Sequence, residues 1–131
     1  EWNGMECYGI NTSVMEINGM EWNGMEWNGM ESTQVQWNGM EWIKLLHQVH
    51  EHNPNAAIIT TIGAMDQRLN TTIDAATACF AKVTPDCTIR YVQLPLQDEV
   101  DGLGTYWHPT EKTNRKCARL IADAAKEMLQ W

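Results

Sequence analysis

With 131 residues, 44% of them hydrophobic, and a formal net charge of -8, the chain is one domain at most. Its first 41 residues hold seven Glu and no Lys or Arg, leaving nine basic and ten of the 17 acidic residues to the remainder, so the acidity does not describe the whole molecule. No basic patch argues for a nucleic-acid partner, no apolar run approaches the roughly 20 residues of a membrane span, and the N-terminus lacks the pattern of a signal peptide.

Residues 1–41 are a repeat: Trp-Asn-Gly-Met-Glu occurs at Trp22–Glu26, Trp27–Glu31 and Trp37–Glu41, with Glu1–Glu6 another copy and Ile17–Glu21 a variant. A period of five matches neither the 3.6 of a helix nor the 2 of a strand, and each Asn-Gly is a turn signal that should break an element. The DNA pentamer TGGAA, read through three copies, encodes this pentapeptide in every frame. Residues 1–41 therefore read as translated satellite DNA joined to a coding segment, a low-complexity tract outside the fold. Ser13 and Ser32 within it are ordinary loop serines.

From Trp42 the sequence turns globular. Trp42, Leu45, Leu46 and Val49 fall at helical spacing, and Asn53-Pro54 ends that helix. Ala56–Ile62 is a continuous apolar, β-branched run bounded by Pro54 and Gly63, the pattern of a buried parallel strand. Asn70 or Thr71 can cap a helix over Ile73–Val83 with Ile73, Ala76, Phe80 and Val83 facing the core, stopped by Thr84-Pro85-Asp86. Cys87–Leu94 reads as a second strand, closed by Pro95. A last helix runs from near Glu111 to Leu129 with Ala118, Ile121, Ala122, Ala125 and Leu129 inward. Helix, strand, helix, strand, loop, helix predicts an α/β parallel sheet with right-handed crossovers. Two strands cannot cover their own faces and edges, so residues 42–131 look like the end of a larger doubly wound domain.

Between the second strand and the last helix stands Asp101-Gly-Leu-Gly-Thr-Tyr-Trp-His108-Pro109-Thr110, a Gly-containing loop with a histidine at its end. A loop at the C-terminal edge of a sheet is where open α/β folds place their chemistry. Together with Asn53–Ala56, Gly63-Ala64-Met65 and Tyr91–Pro95, this loop resembles the C-terminal half of a GDSL/SGNH hydrolase, nearest to the carbohydrate acetyl esterases of the family-2 type. The resemblance covers Trp42–Trp131 and implies an incomplete flavodoxin-like α/β/α fold. It also implies acyl transfer by a serine nucleophile, a histidine base and an oxyanion hole, acting without a cofactor on acetylated carbohydrate or another small ester.

His108 is the catalytic position that carries over. Trp107 beside it either lines the acyl or sugar site or anchors the loop in the core. The acid that orients the histidine in that family stands two or three residues before it, where this chain has Tyr106 and Thr105, which leaves Asp101 or Asp98 to take the role. No Gly-Asp-Ser nucleophile block and no Gly-x-Asn-Asp occurs anywhere in the chain, so the expectation is an inactive remnant of an esterase. A non-catalytic binding fragment is the other reading. His47, His50 and His52 form a second cluster, but on a helix His50 and His52 diverge by about 200°, and a solvated last turn accounts for them better than a metal site. The four cysteines, Cys7, Cys79, Cys87 and Cys117, have neither disulfide density nor zinc spacing.

Overall fold

The computed structural model describes residues 10–17, 20–27 and 33–131, with side chains from Asn38 onward; Glu1–Glu6, Cys7 and Ser32 lie outside the described residues. In chain order the elements are β1 (Ile10–Ile17), β2 (Met20–Trp27), α1 (Thr33–His52), β3 (Ile58–Thr60), α2 (Asn70–Val83), β4 (Ile89–Tyr91) and α3 (Glu111–Leu129). No helix of the described residues is long and apolar enough to cross a membrane.

Two small sheets result. β1 and β2 pair antiparallel with Ile17 opposite Met20 and Ile10 opposite Trp27. The Asn-Gly pairs do not break elements as their turn chemistry suggests: Asn23-Gly24 lies inside β2, paired with Val14 and Ser13, and Asn38-Gly39 lies inside α1. A ladder partner or a packed face outweighs a turn preference worth about 1 kcal/mol per Gly. α1 accordingly begins at Thr33 rather than near Trp42 and runs without a break through Glu41-Trp42. Its buried positions are Gly39, Ile43 and Leu46, while Leu45, expected inside, is exposed. At its end the Asn53 side-chain amide and backbone N–H both donate to the Val49 carbonyl, which caps the last turn.

β3 and β4 form the parallel sheet, with Ile58 opposite Ile89 and Thr60 opposite Tyr91. Both are shorter than the apolar runs that announce them, although Ile58 N–H to Thr88 O and Val92 N–H to Thr60 O carry the ladder one step past each end. Ile58 and Ile59 are only partly buried, because a two-stranded sheet leaves each strand with an open edge. α2 joins the two strands and packs on them and on α1, so its Ile73, Ala76, Cys79 and Phe80 are buried. Thr77 Oγ1 donates to Ile73 O, which leaves the Thr60 hydroxyl to donate to Thr77 across the helix–sheet junction at 2.8 Å. Asn70 and Thr71 do not cap α2, whose N-cap is Leu69. The Asn70 side chain instead accepts from the Tyr91 hydroxyl at 2.7 Å and donates to Gln67, tying the helix start to β4.

α3 begins and ends where its signals place it, with Thr110 as N-cap accepting from the Thr113 N–H. Its buried line is Thr113, Cys117 and Ala124, with Ile121 partly covered. Ala118, Ala122 and Leu129, expected inward, are exposed. Alanine is a weak marker of a buried face, and α3 meets mostly the segments that follow the strands: Cys117 and Ile121 pack with Ala64, Val92 and Leu94. The parallel sheet with helices packed about it is an incomplete α/β fold.

Candidate active site

Parallel pairing puts the C-terminal ends of β3 and β4 on one edge, and the chain knots itself together there. Thr61 Oγ1 donates to Val92 O, Gln67 Nε2 to Leu94 O, and the Gln97 N–H to Ala64 O. The last bond brings the segment after β4 onto the segment after β3, and the histidine loop starts directly beyond it.

The loop closes on itself in two places. Leu103 and Pro109 form an isolated antiparallel bridge, and the Gly104 N–H donates to His108 O at 2.8 Å. Gly102, at φ 79°, makes the left-handed turn that admits the bridge, and a Cβ on Gly104 would stand 3.0 Å from His108 O. The tip, Thr105–Trp107, is one tight helical turn in which Tyr106 (φ 53°) and Trp107 (φ 63°) are both left-handed. Two successive non-glycine residues in that region store of order 1–2 kcal/mol each, a strain that clusters at functional sites. Gln97 Nε2 holds the strained segment from below by donating to Trp107 O at 2.7 Å.

His108 is exposed, and its imidazole makes no hydrogen bond to any described residue. Trp107 is 70% exposed and Tyr106 86%, so Trp107 is a surface aromatic beside the histidine and not a core anchor.

The acid expected to orient His108 is engaged elsewhere. The Asp101 side chain is only 4% exposed, with Lys112 Nζ 2.9 Å from one carboxylate oxygen and Lys116 Nζ donating to the other. Lys116, and then Lys112, hold the Asp101 carboxyl below the usual carboxylate range. Asp98 is occupied too, its Oδ1 accepting from the Asp101 N–H at 2.8 Å. Neither carboxylate is hydrogen-bonded to His108. The sequence singles out Asp101 but not its partners Lys112 and Lys116, which only the packing of α3 brings to the loop.

The histidine cluster lies away from this edge. The His47 ring meets Phe80 edge-on with centroids 4.8 Å apart, and His50 stands 6.3 Å from the same ring with its Nε2 3.4 Å from Asp86. His52 Nδ1 lies 2.8 Å from Gln48 O on its own helix. Among the described residues no group of three His, Cys, Asp or Glu is placed to hold a metal ion.

No family model matches the chain. Over 93 residues it is 28% identical to a stretch of the cellulase/esterase CelE of Acetivibrio thermocellus, covering 66% of this chain and 11% of that protein. Its fold matches an acetyl xylan esterase (Est2A) from the rumen bacterium Butyrivibrio proteoclasticus with a TM-score of 0.68 at 22% identity, over 90% of this chain and 32% of that one. The chain thus spans about a tenth of the curated relative's length and about a third of the solved structure's. The sequence likeness supports an esterase-like relationship for this incomplete α/β chain, and the structural likeness agrees with its fold.

Proposed function

We propose that the chain is the histidine-bearing part of a serine ester hydrolase of the SGNH type, with a flavodoxin-like sheet completed by residues this sequence does not contain. The observation that carries the reading is His108, exposed at the C-terminal edge of the parallel β3–β4 pair on a loop closed by the Gly104–His108 bond. In the reaction a serine Oγ attacks the acetyl carbonyl and its proton passes to the imidazole of His108. The imidazolium returns that proton to the departing alcohol. Water then attacks the acetyl-serine with the same histidine as base, releasing acetate. Trp107 and Tyr106 offer aromatic faces beside the histidine for an acetylated sugar ring or another small ester. No nucleic acid, membrane, metal or cofactor enters this reading.

With no Gly-Asp-Ser in the sequence, His108 has no serine to deprotonate, and loss of one member of such a triad costs several orders of magnitude in rate. The chain alone is therefore inactive. Residues 1–41 on this reading are translated repeat DNA standing where the nucleophile half belongs.

The test is hydrolysis of 4-nitrophenyl acetate and acetylated xylan by the chain itself and by a version in which a Gly-Asp-Ser half of the same fold replaces residues 1–41. The expected outcome is no turnover by the first, turnover by the second, and its loss on His108→Ala. A folded second protein without turnover, or turnover that survives His108→Ala, removes the reading. Saturable binding of acetylated xylan without turnover would favour the non-catalytic binding fragment, for which the exposed Tyr106–Trp107 pair is the supporting observation.

A further inference from the structure

His108 stands on a strained loop with no hydrogen bond on its ring, so its position must be set through the backbone. Asp101 opens that loop and Thr110 closes it, and the two ends are fastened to each other: Thr110 Oγ1 donates to Asp101 O at 2.9 Å. The same threonine caps α3. The Asp101 carboxylate then reaches the first and second turns of α3, at Lys112 and Lys116, and Lys112 also donates to Val100 O at 3.3 Å. The Asp98 carboxylate accepts the Asp101 N–H from the other side. Backbone and side chain of one residue thus bind the loop's entry, its exit and the helix that follows. A side chain only 4% exposed is an unusual place for a carboxylate, and two ammonium partners are what make it tenable.

We propose that Asp101 is a positioning residue for His108, acting through Lys112 and Lys116 as a clamp that fixes the neck of the loop to α3, and not as the acid that orients the imidazole. Clamping the neck keeps Leu103 against Pro109 and the Gly104 N–H on His108 O, which in turn sustains the left-handed Tyr106 and Trp107. Without the clamp these two residues relax towards ordinary backbone, and the histidine moves with them.

The proposal rests on His108 being the working group of the site, but its test reads no turnover, so failure of the esterase reading and failure of the clamp are told apart. Amide hydrogen exchange and the imidazole Cε1–Hε1 signal of His108 are followed by NMR in the unaltered chain, in Asp101→Asn and in Lys112→Met/Lys116→Met. The expected result is exchange about tenfold faster at Gly104 and His108 and a His108 ring signal displaced alike in both variants. Amides in the middle of α2, at Thr77 and Phe80, keep their rates. Adding Asp101→Asn to the double lysine variant should accelerate exchange no further and should partly reverse it, because the amide removes the carboxylate that those lysines neutralised. Equal acceleration in the loop and in α2 would mean that Asp101 merely stabilises the fold, and an unmoved ring signal would mean that the clamp does not set the histidine; either result overturns the proposal. Should Asp101→Asn not fold, Lys116→Gln, which leaves the Lys112 pair in place, is read by the same criteria.

Discussion

At the scale of single residues, the site is defined by backbone conformations that side-chain chemistry does not ask for. Tyr106 is 86% exposed and left-handed, so it gains no packing in return for its φ of 53°. Glycine occupies that region without the Cβ conflict, and Tyr106→Gly should raise the unfolding free energy by about 1 kcal/mol, read from urea denaturation. A loss of stability would mean that the tyrosine holds the loop by contacts of its own. The histidine and the glycines around it were legible in the sequence, since Gly-x-Gly before a helix start marks a tight loop. The left-handed pair was not, because neither Tyr nor Trp favours that conformation and only closure of the loop imposes it. Asp101 was legible as an acid, but its role was not: the lysines that claim it belong to a helix, and only the packing of α3 brings them back to the loop.

At the scale of elements, the reading succeeds where signals are local. The bounds of α3, Glu111 and Leu129, follow from the amphipathic run after Pro109-Thr110. The start of α1 was illegible, since a five-residue repeat carries no helical period, and its buried side is set by where α2 offers Phe80. That junction carries a titratable group. Burial first, and then the neighbouring His50, hold the His47 imidazole below its ordinary value. The unfolded chain therefore takes up this proton more readily than the folded one. The stability due to neutral His47 is complete above the unfolded value of about 6.5 and is lost as pH falls through the lower folded value. Between roughly pH 7 and pH 5 the melting temperature should fall, and His47→Gln should flatten that fall. An equal fall in the variant would assign the pH dependence to other groups.

At the scale of the whole molecule, the parallel sheet has two strands, each with an open edge. Leu120 and Leu129 stay exposed on α3, and Trp131 just past its end. Less surface is withdrawn from water than in a finished domain, so the slope of unfolding free energy against urea should lie near the lower end of the ~1–3 kcal/mol/M range. Joining the chain to the Gly-Asp-Ser half proposed above should steepen it. A slope already typical of a compact 131-residue domain would show that the chain completes its own core.

The Lys112–Asp101–Lys116 cluster also sets an order in time. As the chain emerges from the ribosome, α1, β3, α2 and β4 can pack while α3 is still being made, because none of their hydrogen bonds to one another needs a residue beyond Leu94. His108 is synthesised before either lysine, and until both have appeared it rides on an unfastened strap. On the clamp proposed above, His108 is thus set only after the elements that carry it have packed, and a chain halted within α3 would lack the means to aim it.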